Sequence, residues 1–582
     1  MIKRQASPAR VADPPPSGRA RRRHNLMVPM RDGVELALDV LLPDGEGPFP
    51  TVLSRTCYDK NRHIDTPRPV LQALLGAGYA IAAQDVRGRF NSDGRWGMYF
   101  AEFDDGFDTL EWLAGQPWCD GNIGMYGVSY EASVQWFAAR SGSEHLKAIV
   151  PIAATPSSMW ANEPLRGGAF LAPMVQYAVD MGYRSFQSTD FGSKLWAEDR
   201  PSSMALPFAD IPAAQGAQSP WIAEMLQHPT LDEFWARGDF SCWDQIRTPA
   251  LHITGWWDMN LPGALDNYPG MRAGAATAEA RDGQRLIIGP WPHWMNNTRQ
   301  LNGVDFGDQA VIDLDGHIVE FFDRHLKGMP AEDDEDPVHV FVIGANEWWA
   351  SDRWPLAEAV DRELFLSSDG HANSLLGDGG LTWEIQGDSP ADEYDYDPLN
   401  PVHAFFHMSA DGPVDDRIPS QRPDVLCYTT AALTKDIDVV GPVRLKLWAA
   451  SSATDTDWHA RLVDVHPDGA ARYLCHGVLR ARFRDGFTTP ALLEPDRPYE
   501  YDIPMDAVGI RFGVGHRIRL EITSSWSPRY DRNTNTGADN PFQESRTVVA
   551  HQTILHDAEH PSRLIVQVVE RDADHASAAD QP

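Results

Sequence analysis

Ser129 stands in Gly124-Met125-Tyr126-Gly127-Val128-Ser129-Tyr130-Glu131-Ala132, between a strand-like run and a helix-like one. A serine on a tight strand-to-helix turn can lift its hydroxyl above a sheet edge as a nucleophile, and such a turn needs small residues beside it. Gly127 supplies one of them; the usual second glycine, two residues after the serine, is Glu131 here, and the small residue is displaced to Ala132. Alone, the pattern also fits an ordinary helix-capping serine. Its partners narrow the reading, because a serine needs an imidazole to take its proton and the imidazole needs a carboxylate to fix its tautomer. Asp258 in Gly255-Trp256-Trp257-Asp258 and His293 in Gly289-Pro290-Trp291-Pro292-His293 each follow an apolar strand-like run directly. They fall in the order Ser, acid, His that α/β-hydrolases use. Among 20 histidines and many aspartates either could be a plain loop residue; order and strand context together single them out as catalytic.

Acyl hydrolysis also needs donors aimed at the oxygen that turns negative. The backbone N–H of Tyr130 is the expected first oxyanion donor, and the phenol of Tyr58, in the loop after PTVLSRT (50–56), the second. The plain alternative for Tyr58 is packing under a cap. Trp160, Trp256, Trp257, Trp291 and Trp294 lie in sequence near these loops or at the start of an inserted segment, and are expected to line a pocket for apolar or aryl groups. Their alternative is core packing. Arg87 and Arg89 are read as structural, paired to Asp85 or Asp93.

The elements that must position these residues alternate. HNLMVPM (24–30) and VELALDVLLP (34–43) flank Arg31-Asp32-Gly33 as a hairpin, and PTVLSRT, YAIAAQDV (79–86), NIGMYG (122–127) and AIVPIAA (148–154) are strand runs separated by helical patterns. Strands buried on both faces and separated by helices imply a parallel sheet wrapped in helices. From about 156 to 245 strand runs vanish and Trp160, Trp196, Trp221 and Trp235 appear in helical segments; the rhythm resumes with PALHITG (249–255), RLIIG (285–289) and GHIVEFFDRHLKG (316–328). A helical cap over the carboxyl ends of the strands accounts for this. After about 360, period-two runs such as ARLVDV (460–465) and HRIRLEIT (516–523) indicate a β-sandwich, with a jelly-roll the expected topology. The expected organisation is a disordered tail (1–23), an α/β-hydrolase domain in two parts (24–155 and 246–355) around a helical cap (156–245), a C-terminal all-β jelly-roll (356–571) and a second tail (572–582).

With 50 Lys and Arg against 83 Asp and Glu, the 582-residue chain carries a formal charge of −33. Nucleic acid and anionic membrane are therefore excluded as partners, since both need a basic footprint. Five scattered cysteines without a Cys-x-x-Cys pair argue against a disulfide framework or a structural zinc site, and point to a reducing, cytoplasmic compartment. No secretory signal and no membrane-length apolar run is present.

The pieces together resemble the cocaine esterase family of serine hydrolases, which includes α-amino-acid ester hydrolases, glutaryl acylases and X-Pro dipeptidyl-peptidases. The resemblance rests on Tyr58-Asp59-Lys60, Gln84-Asp85-Val86-Arg87-Gly88-Arg89 with Ser92-Asp93-Gly94, and Gly127-Val128-Ser129-Tyr130, together with the segments around Asp258 and His293. In the β-region it extends to Ser452-Ala453-Thr454-Asp455-Thr456-Asp457 and Pro528-Arg529-Tyr530-Asp531-Arg532-Asn533. It implies an α/β-hydrolase domain, a helical cap and a jelly-roll, the triad Ser129, Asp258 and His293, and an oxyanion hole of Tyr58 and Tyr130. Ala132 departs from the glycine that relatives often carry. The amino-ester hydrolases also hold the substrate ammonium with clustered carboxylates; Ala132 offers none, and Asp232-Glu233 in the cap offer part of such a cluster. A plain serine esterase acting on a small-molecule ester, without metal or organic cofactor, is the favoured function. The alternatives are an amide hydrolase of acylase or X-Pro type and, remotely, a non-catalytic carbohydrate-binding protein; whether the chain forms a homo-oligomer stays open.

Overall fold

The computed structural model describes residues 3–5, 21–65, 68–185, 204–215, 219–330, 336–387, 389–404 and 412–570. Trp196 and the C-terminal tail 572–582 lie outside the described residues. Seven parallel strands form the centre of the first sheet: β1 (Phe49–Thr56), β2 (Ala80–Asp85), β3 (Cys119–Val128), β4 (Leu146–Ile152), β5 (Leu251–Trp257), β6 (Arg285–Pro292) and β7 (Val338–Val342). Their spatial order is β7-β6-β5-β4-β3-β1-β2, extended by antiparallel strands at both edges to eleven. Every residue of β2 and β5 is buried, as expected for strands covered on both faces.

The helices start and stop where local chemistry dictates. Helix α1 (Glu102–Ala114) carries Glu102, Asp104 and Asp105 in its first turn, where the helix dipole favours acids. Helix α2 (Tyr130–Arg140) follows Ser129 directly and is almost wholly buried. Helix α3 (Leu314–Lys327) begins two residues before its amphipathic run, because the Asp313 side chain caps it by accepting the Gly316 N–H at 3.0 Å.

The expected N-terminal tail is ordered at both its ends. Lys3–Gln5 pairs with Glu347–Ser351, and Arg21–Pro29 forms an edge strand against Glu35–Leu42. The basic run is not free: Arg22 pairs with Asp39 at 2.8 Å and with Asp65. Residues 6–20 lie outside the description.

The cap enters between β4 and β5 and is built from short helices such as Pro173–Met181 and Pro220–Met225. It also holds one small strand pair, Leu165–Arg166 with Ala169–Phe170, that the sequence did not announce. A buried ion network ties it to the C-terminal β-domain. Arg480 donates to both carboxylate oxygens of Asp457 and to Asp531, each at 2.9 Å, while Asp531 accepts the Phe170 N–H at 2.6 Å and Asn533 donates to Asp455 and Asp457. Asp455, Asp457, Arg480, Asp531 and Asn533 lie in or between the two β-region stretches that carried the family resemblance, and through Phe170 they serve to seat the cap. Removing one partner of a buried charge network leaves the others uncompensated. Arg480→Ala is therefore expected to cost about 3–5 kcal/mol in urea unfolding; a loss below about 1 kcal/mol, the range of an exposed pair, would contradict that role.

In the β-domain, eleven strands from Ala359–Ser367 to Arg563–Val569 alternate buried and exposed residues over long stretches, as in Ile437–Ser451. Among the described residues no helix is long and apolar enough to cross a membrane.

Candidate active site

Ser129 leaves β3 and opens α2 with φ 64° and ψ −123°, a backbone region that costs a non-glycine residue of order 1–3 kcal/mol. Both sides hold it there. Its N–H donates to Ile152 O at the end of β4 at 2.9 Å, and its carbonyl accepts from Ala132 and Ser133 at 2.9 and 3.0 Å. Gly127 must be glycine, since a Cβ there would lie 2.3 Å from the Cβ of Glu131. Glu131, in the place of the usual second glycine, is buried beneath the turn. Its carboxylate accepts from Thr56 Oγ1 at 2.7 Å and pairs with His63 Nε2 at 2.8 Å. Burial pushes the Glu131 carboxyl up, but His63, Arg68 and the Thr56 hydroxyl outweigh it and bring the pKa down to about 2.

Asp258 directly follows β5 and His293 directly follows β6. His293 Nδ1 lies 2.7 Å from Asp258 Oδ1, and both side chains are buried. Two further donors fix the carboxylate: the Asn260 N–H to Oδ1 at 3.0 Å and Thr254 Oγ1 to Oδ2 at 2.9 Å. A proton held on Nδ1 by this carboxylate leaves the Nε2 lone pair free to act as a base.

The Tyr58 phenol lies close enough to Ser129 for the serine to act on its titration, and its hydroxyl lies 3.4 Å from that of Tyr177 on the cap helix. Desolvation holds the Tyr58 phenol well above the ordinary tyrosine pKa, with the neighbouring Cys57 thiol adding to the rise, so it stays a donor. Its loop is pinned on three sides: Tyr58 N–H donates to Thr56 Oγ1 at 2.9 Å, Arg89 Nε to Cys57 O at 3.0 Å and Lys60 N–H to Asp85 Oδ1 at 2.8 Å. Arg89 is thus a backbone clamp, and Arg87 pairs with Asp105 and Asp32 rather than with Asp85 or Asp93. The Tyr130 hydroxyl is taken up elsewhere, donating to Glu102 Oε1 at 2.8 Å. The Tyr130 amide, at the first residue of α2, is among those a helix N-terminus leaves without an intrahelical acceptor.

The five tryptophans separate. The indole N–H groups of Trp256, Trp257 and Trp291 donate to Phe341 O, Tyr473 O and Ala310 O at 2.6, 3.3 and 2.6 Å, and all three rings are buried. They pack within the hydrolase core and at its seam with the β-domain, each with its indole N–H satisfied by a backbone carbonyl. Trp160 packs among Trp235, Phe483 and Phe487 between cap and β-domain. Trp294 alone is exposed, edge-on to the His293 ring at 5.6 Å. The rings beside the nucleophile are tyrosines instead: Tyr130 stacks on Tyr99 at 5.0 Å and meets Tyr58 edge-on at 6.4 Å.

One carboxyl that the sequence reading passed over sits in the site. Glu163, buried in the cap, is pushed up to about 7 by desolvation, opposed by His293 and a hydrogen bond to Asn260 and assisted by Asp258. Its local sequence, a glutamate before Pro164 in an aperiodic loop, carries no signal of this. The cap pair named from sequence is placed otherwise: Asp232 caps a short helix by accepting the Phe234 N–H at 3.0 Å and pairs with His228, while Glu233 is exposed.

The family model of the X-Pro dipeptidyl-peptidase (S15 family) matches residues 32–295, and that of the X-Pro dipeptidyl-peptidase C-terminal non-catalytic domain matches residues 331–565. Cocaine esterase from Rhodococcus sp. (strain MB1 Bresler) is 36% identical over 575 residues, covering 94% of this chain and 98% of that protein. The chain belongs to the cocaine esterase family. Two solved structures of similar build are an aminopeptidase from a marine sediment Thaumarchaeota archaeon and an α-amino acid ester hydrolase. Both superpose with a TM-score of 0.82, at 26% and 25% identity, covering 95% and 94% of this chain and 96% of each of theirs. As a family member this protein is a serine carboxylic-ester hydrolase with an α/β-hydrolase domain and a C-terminal β-domain.

Proposed function

We propose that the chain hydrolyses esters whose acyl or alcohol group is apolar or aryl, through an acyl-enzyme on Ser129. The observation that carries this reading is the buried 2.7 Å contact of His293 Nδ1 with Asp258 Oδ1, together with a serine held at φ 64° at the end of another parallel strand of the same sheet. His293 Nε2 takes the Ser129 proton as the hydroxyl oxygen attacks the ester carbonyl. Asp258 stabilises the imidazolium, and Tyr58 Oη with the Tyr130 N–H receives the oxyanion. His293 then protonates the departing alcohol, and water repeats the sequence on the acyl-enzyme. Tyr58, Tyr99, Tyr177 and Trp294 around these atoms favour a flat apolar group. Reduced, unpaired cysteines support a cytoplasmic setting.

Tyr58→Phe is expected to lower kcat by roughly 10² to 10³ with little change in folding, as for loss of one oxyanion donor. An unchanged kcat would return Tyr58 to a packing role.

A second reading, hydrolysis of amino-acid esters or amides, is favoured by Glu163, a carboxyl that could face a substrate ammonium, and by the aminopeptidase and amino-ester hydrolase neighbours. Measuring kcat/KM on p-nitrophenyl esters against aminoacyl and X-Pro anilides separates the two. Esters are expected to turn over faster; faster anilide cleavage would overturn the ester reading.

Glu163 also imposes a pH dependence on stability. Its pKa of about 7 in the folded chain lies above that of an unfolded glutamate, so between pH of about 4.3 and 7 the unfolded chain binds fewer protons and stability falls as pH rises. The whole effect is on the order of 3 kcal/mol and is complete above the folded pKa. Denaturation at either end of that window should show wild type losing stability relative to Glu163→Gln as pH rises. Parallel curves for the two proteins would contradict the assignment.

A further inference from the structure

The β-domain holds a cluster that the ester chemistry does not use. Strand β8 (Asp457–Val465) turns through His466–Ala470 into β9 (Ala471–Arg480), and pairs antiparallel with β10 (Arg517–Thr523). The register matches Val465 with Arg517 and Asp464 with Ile518, so the next pair outward is His466 opposite His516. Side chains two apart on a strand, and those directly opposite, share a face. Asp464, His466 and His516 therefore converge by construction. His516 Nδ1 lies 2.8 and 3.0 Å from the two Asp464 oxygens, His466 Nε2 lies 3.2 Å from Asp464 Oδ2, and the ring centroids are 4.4 Å apart. Among the described residues this is the one group of three His, Cys, Asp or Glu ligand atoms that all lie within 4.8 Å of one another.

We propose that Asp464, His466 and His516 form a binding site for a divalent transition-metal ion of the Zn²⁺ type, clipping the β8–β9 turn to the start of β10. Two imidazoles and a carboxylate suit Zn²⁺ and its neighbours in the first transition row, whereas Mg²⁺ and Ca²⁺ take oxygen donors. A tetrahedral ion with bonds of 2.0–2.1 Å sets its ligand atoms about 3.3 Å apart. The Asp464 oxygens are already within a few tenths of an ångström of that spacing from both imidazoles. The ion takes the place of the proton shared between His516 Nδ1 and Asp464, and that proton leaves to solvent.

The backbone under each ligand is fixed. His466 N–H donates to Ala470 O at 2.8 Å and its carbonyl accepts from Gly469 at 2.9 Å, while His516 N–H donates to Gly513 O at 3.1 Å and its carbonyl accepts from Leu433 at 2.8 Å. Asp464 is buried, whereas the side chains of His466 and His516 are 35% and 20% exposed, which leaves a path for the ion and room for a water as fourth ligand. Asp468 on the same turn and Asp436, which accepts the Val514 N–H at 3.0 Å, add negative charge nearby. These donors are distinct from the scattered cysteines, all five of which are free.

The test uses the full chain stripped with a chelator and then titrated with ZnCl₂ by calorimetry, with CoCl₂ absorption in the visible as a report on geometry. Wild type is expected to take up one Zn²⁺ per chain at micromolar or lower concentration, to rise in Tm on doing so, and to ignore MgCl₂. The double variant His466→Gln/His516→Gln should lose that equivalent and the cobalt band, while keeping its metal-free Tm and its ester turnover. His466→Gln alone, at the more exposed ligand, serves if the double variant folds poorly. No uptake by wild type, or the same equivalent bound with the same affinity by the variants, would overturn the proposal.

Discussion

Ser129→Ala is expected to cut kcat by roughly 10⁵ to 10⁶ while leaving the fold intact. The serine oxygen is the only protein atom in the proposed route that bonds to the acyl carbon, so direct water attack helped by the oxyanion donors is all that remains. The backbone strain at φ 64° is carried by any residue with a Cβ, so alanine neither relieves nor adds to it. Any contact of the serine hydroxyl with Tyr58 that alanine removes costs about 1 kcal/mol, small for a chain of this size. Steady-state kinetics beside a thermal melt reads both quantities. A fall in kcat below about 10-fold, equivalent to less than about 1.4 kcal/mol of barrier, would remove Ser129 from the chemistry.

Asp258→Asn is expected to lower kcat by about 10⁴ at nearly constant KM. Three donors converge on this carboxylate, from Thr254, Asn260 and His293. An amide has one acceptor oxygen, and its NH₂ must then face one of the three. Where it faces His293, it donates to Nδ1 and drives the ring proton to Nε2, the atom that has to accept from Ser129. The ring stays in place in the wrong tautomer. If Asp258→Asn retained more than a tenth of wild-type turnover, the carboxylate would have no part in setting the tautomer.

How much of this was legible in the sequence depended on whether the determinant was local. The strand-end positions of Ser129, Asp258 and His293 were legible because each is the residue directly after an apolar strand, and parallel strands bring such residues to one edge whatever the loops contain. Gly127 was legible as the small residue of the turn, and the structure gives the reason in the Glu131 side chain it must clear. The tryptophans were not. A tryptophan beside a catalytic residue in sequence, such as Trp257 or Trp291, alternates to the face of the sheet that carries the core, and only the acceptor found by its N–H shows which face that is. Glu163 and Tyr177 were missed because they reach the site from the cap, through loop geometry and a helix docking that no period encodes. The pairing of Arg22 with Asp39 and Asp65, which orders the basic end of the N-terminal segment, is likewise tertiary.

The most direct test of the account is covalent. Full-length protein treated with a fluorophosphonate and mapped by peptide mass is expected to carry a single adduct, on Ser129, with ester turnover lost in proportion to labelling and with Ser129→Ala left unlabelled. Equal labelling of wild type and Ser129→Ala, or an adduct at another residue that tracks the loss of activity, would contradict it.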